Sequence, residues 1–291
     1  MIGTIINILK GGWNARKPAN SVPGGDGCEH RIIYPFEAIC EQAISDIGRV
    51  RMLAAECAAE RSGDSGAVSS DPIRREGLAL IAAARRTGDF VQVTDVPGTR
   101  YTIRTGESEV RIVQTEQVYY KIKDPFAKMH LKRHPVECIL LEHVVHNILF
   151  PDCRLEFVGV TGNFHKARLV LRQKAVRSES RPDDGQIARA LGSLGLKPER
   201  RYEFGNEFVF VTDVGQDGDN VLMDDDNAIR FIDPIIGFKQ SLVSCFPDVM
   251  KSDDSVEDMV KKLCGGHNGA AVSRNQVVSQ YKWCRSKDAA V

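Results

Sequence analysis

The stretch from Thr212 to Phe238, TDVGQDGDNVLMDDDNAIRFIDPIIGF, constrains the chain more than any other. It reads as a short loop, a strand, a tight turn and a second strand. Val221 to Met223 and Ala228 to Ile232 are apolar and β-rich, and the DDDN between them carries hairpin-turn chemistry. Asp213 and Asn220 precede the first strand and Asp233 follows the second, so the strand ends place oxygen ligands on one rim. Asn220 and Asp233 are thirteen residues apart, a separation that one strand–turn–strand unit fills. One carboxylate to take a hydroxyl proton, with an amide and a second carboxylate to hold Mg²⁺, is the layout that phosphoryl transfer needs. A polar surface hairpin with acidic ends would read the same way, so the choice between them rests on what lies upstream.

At 291 residues the chain has room for one large or two ordinary domains. Its 42% apolar and 27% charged content are those of a soluble globular protein. Lys+Arg and Asp+Glu both total 39, and a formal charge of +0 gives no electrostatic argument for nucleic acid or an anionic membrane as partner. The eight cysteines (Cys28, Cys40, Cys57, Cys138, Cys153, Cys245, Cys264, Cys284) are scattered singly, with no CxxC and no metal-finger spacing. Isolated cysteines in a long chain fit a reducing cytosol. The N-terminal MIGTIINILKGG has no basic residue ahead of its apolar run, and the longest apolar run, Gly77 to Ala84, falls short of the ~20 residues that span a bilayer. A cytoplasmic address is expected.

Taken in order, the chain opens on a turn-rich arm to about Gly27. From Pro35 to about Arg61, Phe36, Ile39, Ala43, Ile47, Met52 and Ala55 recur at helical spacing. Asp71 as N-cap and Pro72 at the first helical position open a second helix through Arg86. No chemistry is legible in these helices, which read as a hairpin that packs against something or mediates protein contacts. From Phe90 to Lys123 the pattern alternates with breaks at PGT, TGES and TEQ, and predicts a four-strand antiparallel meander. VECILLEHVVHNILF is a helix ended by Pro151, RLEFVGV and ARLVLRQKAV form a strand pair, and RPDDGQIARALGSLG is a helix that stops at Gly195. After Phe238 the chain is helical again, with weaker segments at Val256 to Leu263 and Arg274 to Lys282. This order predicts an α+β, two-lobed arrangement rather than βαβ units.

Lys121 lies inside the strand QVYYKI, and a buried ammonium there needs a partner, which the following helix supplies at Glu142 or Glu137. A strand lysine held by a helix carboxylate and aimed at phosphates is part of the protein-kinase constellation; an edge-strand lysine pointing to water is the alternative. Gly106, in RTGESEV, sits at the turn ahead of that strand, where a glycine hairpin would cover phosphates. His143 and His146 are three apart on one helix but lack further ligands at matching spacing, so they read as structural. There is no HExxH, no GxSxG elbow and no GxxxxGKS loop, which sets aside zincins, α/β hydrolases and P-loop enzymes.

With Lys121, Glu142, Asn220 and Asp233 in hand, the stretch from about Thr105 to Phe238 resembles the serine/threonine/tyrosine-kinase-like domain of bacterial and phage polyvalent proteins, a divergent relative of protein kinases. The matching pieces, in order, are GESEV and VYYKI, LLEHVVHNILFP, FVGVTG, LRQKAV, IARALGSLGL, YEFGN, VTDVGQDGDNVL and FIDPI. The resemblance implies a two-lobed protein-kinase-like fold, with an antiparallel N-lobe sheet and a reduced helical C-lobe, that binds ATP with Mg²⁺. An added helical region (1–88) would precede the kinase-like domain (89–240), and a helical tail (241–291) would complete the C-lobe. Carried over, Lys121 holds the α/β-phosphates, Glu142 pairs with it, Asp213 is the catalytic base, and Asn220 and Asp233 are metal ligands. The hinge beside the adenine would run from Leu171 to Ala175, with Gln173 as its polar residue.

Departures from the kinase pattern qualify the function. Val211 and Thr212 replace His-Arg ahead of Asp213, and Asp213 and Asn220 are seven apart rather than five, which leaves Asp217 a rival base. Pro234-Ile235 follows Asp233 in place of Phe-Gly. The first expectation is a phosphotransferase that moves the ATP γ-phosphate to a hydroxyl acceptor, a protein side chain ahead of a small molecule of the aminoglycoside-phosphotransferase type. The alternative is a catalytically weak pseudokinase that serves as a nucleotide-binding or interaction module.

Overall fold

Helix α1 (Phe36–Ser62) forms where the sequence predicts it, but its buried stripe is rotated from the one expected. Cys40, Ala43, Ile47, Val50, Leu53, Ala54 and Cys57 face the core, whereas Phe36 and Met52 are exposed. The helix is apolar on most of its circumference, so two stripes of helical period compete; the buried one also carries Asp46 and Arg49, whose partners lie inside the fold. The computed structural model describes residues 34–62, 72–101, 108–126, 136–163, 166–215 and 219–264. The predicted N-terminal arm, the Asp71 cap and the segment from Arg274 to Lys282 lie outside them.

The chain is a mixed α/β protein with antiparallel sheets, and it divides into two compact units. One comprises Glu37–Ala175 with Gln240–Lys261, and the other is built on Val176–Lys239. In the first, α1 is followed by α2 (Pro72–Thr87), then β1 (Thr99–Tyr101), β2 (Ser108–Val113), β3 (Val118–Lys123), α3 (Val136–Leu149), β4 (Leu155–Asn163) and β5 (Lys166–Lys174). The five strands lie in the order β1-β2-β3-β5-β4 and pair antiparallel throughout. Their register sets Val110, Lys121, Leu171 and Phe157 in one row across the sheet.

Among the described residues, three strands stand where a four-strand meander is expected. Phe90 makes a single parallel bridge to Val160, and Val93–Asp95 form a 3-10 turn instead of a strand. The Asp89–Val91 segment is held edge-on to β4 by Val91 N–H to the Val160 carbonyl (2.9 Å) and Val160 N–H to the Asp89 carbonyl (2.9 Å). Gly159 permits this approach, because a Cβ there would come within 2.3 Å of the Asp89 carbonyl oxygen. Val91 and Val96 then pack on Ile122 and Val170, one face of the sheet. The opposite face is covered by α3, which is apolar almost all round and buried from Cys138 to Leu141 and from His143 to Leu149. A helix of that kind belongs inside a core.

In the other unit, β6 (Ser178–Ser180), β10 (Val221–Asp224) and β11 (Ile229–Phe231) form one sheet in the order β11-β10-β6. β7 (Lys197–Arg200), β8 (Glu203–Gly205), β9 (Val209–Thr212) and β12 (Ile235–Phe238) form a second in the order β12-β9-β8-β7. Helix α4 (Asp184–Ser193) begins with an Asp183–Gln186 capping box. It ends in a Schellman motif, with Leu196 N–H on the Leu191 carbonyl (3.1 Å), Gly195 N–H on the Gly192 carbonyl (2.9 Å) and Gly195 at φ 74. Helices α5 (Gln240–Val243), α6 (Phe246–Val249) and α7 (Asp253–Cys264) follow, and as far as Lys261 they belong to the first unit. Among the described residues no helix is long and apolar enough to cross a membrane. The described cysteines are free, and all but Cys245 are buried.

Candidate active site

The β10–β11 hairpin forms as its sequence predicts, and its turn is tied by a residue the alternation alone does not single out. Asp224 Oδ1 accepts from the Asp226 and Ala228 N–H groups (3.0 and 2.8 Å), with Asn227 at φ 60 in the turn. The other carboxylate oxygen takes Arg230 through Nε (2.7 Å) and Nη2 (2.6 Å). With 14% and 11% of their side chains exposed, this is a largely desolvated, forked pair.

At the opposite end of the hairpin the backbone brings Asp213, Asn220 and Asp233 together. Val221 pairs with Phe231, and the ladder continues outward as the Asn220 carbonyl accepts from Ile232 N–H (2.8 Å) and more weakly from Asp233 N–H (3.5 Å). β12 starts with Ile235 opposite Thr212, so the residue after β9 lies beside the crossing from β11 to β12. That residue is Asp213, at φ 63, a conformation that Asp tolerates better than most side chains. Asn220 Nδ2 donates to the Asp213 carboxylate (2.6 Å) and to the Asp213 carbonyl (3.1 Å). The Asn220 amide oxygen is left uncommitted among the described residues. Asp219, next to it, pairs with Arg181 ahead of α4. Asp217, the rival base, lies outside the described residues.

The remaining site residues belong to the unit of the five-stranded sheet. Lys121 is buried in β3, in the same row as Phe157. Phe157 stacks on His143 of α3 (centroids 5.5 Å apart), so Lys121 stands on the face of the sheet that α3 covers. Glu142 is the half-buried residue in the otherwise buried middle of that helix. Gln173 is buried in β5, and its amide donates to the Cys153 carbonyl (2.6 Å). The side chain is therefore committed inside the sheet unit, and the chain leaves that unit two residues later, after Ala175. Gly106 and the side chain of Glu137 lie outside the described residues.

His143 and His146 are core residues, and no group of three or more His, Cys, Asp or Glu placed to hold a metal ion occurs among the described residues. The ring nitrogens of His143 make no hydrogen bond of normal geometry. Burial lowers its pKa to about 4; Asp46, Glu142 and the Leu140 carbonyl pull the other way and lose.

The sequence reading missed a polar network around α1. Asp46 accepts from Gln42, Asn147 and Arg154, while Arg49 reaches Asp89 and the Phe157 carbonyl. The available signal was polar side chains on helices otherwise apolar at those positions: Asp46 and Arg49 on the buried stripe of α1, and Asn147 on α3.

The family described as "Serine/Threonine/Tyrosine Kinase found in polyvalent proteins" matches residues 74–240, more than half of the chain. No curated protein and no solved structure matches it. The matched span runs from α2 through β12 and includes Lys121, Glu142, Asp213, Asn220 and Asp233. The chain belongs to the family of serine/threonine/tyrosine kinases found in polyvalent proteins.

Proposed function

We propose that the chain is an ATP-dependent phosphotransferase that moves the γ-phosphate to a hydroxyl acceptor, a serine, threonine or tyrosine side chain of a protein. The observation that supports this best is the convergence of Asp213, Asn220 and Asp233 on one rim, within a span that matches a kinase family. Under this reading the fold is two-lobed and kinase-like.

Each residue then has a physical task. Lys121, oriented by Glu142, neutralises charge on the α/β-phosphates. Asp213 accepts the acceptor's hydroxyl proton, and its position beside Asn220 fixes the carboxylate for that task. The donor set of a carboxylate and an amide oxygen is hard and all-oxygen, which fits Mg²⁺; Asn220 and Asp233 would hold it. Bound there, Mg²⁺ would supply neutralisation of the charge on the transferring group. Catalysis of this kind is mainly positioning.

A second reading, a catalytically weak module that binds nucleotide, is favoured by one contact. The proposed base and the proposed metal ligand hydrogen-bond each other at 2.6 Å, which occupies one oxygen of the Asp213 carboxylate. Calorimetric titration of ATP with and without Mg²⁺, into wild type and Asp233→Ala, tests the site. Mg²⁺-dependent binding that disappears in the variant is expected, and a folded wild type that binds no nucleotide overturns both readings. Transfer to a generic protein acceptor, lost in Asp213→Ala, then separates the first reading from the second.

A further inference from the structure

Helix α1 lies wholly ahead of residue 74, where the family match begins, yet its charged residues are spent on the elements around α3. Asp46, with 11% of its side chain exposed, accepts from Asn147 Nδ2 of α3 (3.1 Å) and from Arg154 (2.8 Å). Asn147 is fixed in turn at the start of β4, donating to the Leu155 carbonyl (2.9 Å) and accepting from its N–H (2.7 Å). One turn along α1, Arg49 donates to the Phe157 carbonyl (2.6 Å) at the β4 bulge and to Asp89 (2.6 Å), with its guanidinium 4.9 Å from the Phe157 ring centre. Arg51 grips the Val249 carbonyl through Nε and Nη2 (3.0 and 2.6 Å) and Asp253 (2.5 Å), which anchors α1 to α6 and α7.

Helix α3 needs such a device. Its packing is apolar on nearly every face, and apolar contact is non-directional, so burial alone leaves its rotation and axial register soft. The Asn147 bonds are directional, and the one to the Asp46 carboxylate is charge-assisted. We propose that α1 is a built-in positioning helix for α3. Asp46, acting through Asn147 and Arg154, sets where α3 and hence Glu142 stand against the sheet. The functional consequence rests on the phosphotransferase reading, in which Glu142 orients Lys121. Asp46 is a positioning residue, far in sequence from every reacting group.

The test uses the full chain. Hydrogen exchange by mass spectrometry is measured with ATP turnover in wild type, Asp46→Ala, Glu142→Gln and the double variant. Asp46→Ala is expected to raise exchange in α3 selectively, with β9–β12 unchanged. It should lower kcat by about ten- to a hundred-fold while KM for ATP stays within about three-fold. The double variant should lose no more turnover than Glu142→Gln alone, because both changes remove one function. Exchange that rises uniformly across the chain, or losses that multiply in the double variant, overturns the proposal. Should Asp46→Ala fail to fold, Arg154→Met removes one donor to Asp46 from a residue 37% exposed, and the same selective pattern is required of it. A wild type with no turnover sinks the phosphotransferase reading, while the exchange pattern still decides whether α1 holds α3.

Discussion

Replacing His143 by leucine should flatten a specific part of the pH dependence of stability. The imidazole is 3% exposed, and burial holds its pKa at about 4 against 6.5 for the free side chain. Between those values the unfolded chain binds a proton that the folded chain refuses. The contribution is therefore complete above pH 6.5 and is lost as pH falls toward 4. A difference of 2.5 pH units corresponds to about 3 kcal/mol at most. At pH 7 the variant sheds two buried nitrogens without well-formed hydrogen bonds, a gain of about 1–3 kcal/mol. It also gives up the stack on Phe157, a loss of about 0.5–1.5 kcal/mol. His143→Leu should thus match or exceed wild type at pH 7, and its advantage should widen by about 3 kcal/mol on acidification to pH 4. Urea unfolding of both proteins from pH 4 to pH 7.5 measures this, with carboxylate titration common to both. Parallel curves, or a variant that is less stable by more than about 2 kcal/mol at pH 7, would show that the ring nitrogens are well hydrogen-bonded in the folded protein.

Two further outcomes follow from the same contacts. Asp224→Ala removes the carboxylate that forks with Arg230 and holds two turn N–H groups; a loss of about 2–4 kcal/mol is expected in denaturant unfolding, accompanied by weaker Mg²⁺-dependent ATP binding. A stable variant with unchanged binding would mean that the hairpin does not depend on its turn. Lys121→Met should abolish phosphoryl transfer while the chain stays folded, since an apolar side chain suits that buried position; full activity refutes the lysine's role.

What was legible in the sequence was local. The β10–β11 hairpin, the Gly195 end of α4, and the β4–β5 pair are specified by residues within a few positions of one another. The approach of Asn220 to Asp233 was legible for the same reason, because a hairpin returns its two ends to one place, whereas Asp213 is brought beside them by the pairing of β12 with β9. The stripe of α1 was not, because the choice between two apolar faces is made by partners such as Asn147, 101 residues from Asp46. The first predicted strand failed similarly. FVQV alternates like a strand, but among the described residues it pairs with the sheet through one parallel bridge, Phe90 to Val160, and a missing Cβ at Gly159 marks it only after the two segments are brought together.

Asp233 occupies the crossing between two sheets, and this gives its position a second, less obvious determinant. Residues 232–234 carry the chain from β11, paired with β10, to β12, paired with β9. Asn220 is fixed by the first sheet and Asp213 by the second, so Asp233 keeps its relation to both only while β12 lies flush on β9. Gly237 secures that contact: it pairs with Phe210, and a Cβ there would sit 1.9 Å from the Phe210 ring. Gly237→Ala must therefore displace either the ring or β12, at a cost of about 1–3 kcal/mol. If β12 moves, Mg²⁺-dependent ATP affinity falls along with stability, and Gly237→Ala with Phe210→Leu recovers both by making room for the methyl group. Wild-type nucleotide affinity in a destabilised Gly237→Ala protein would refute this coupling, and would assign the placement of Asp233 to the β10–β11 hairpin alone.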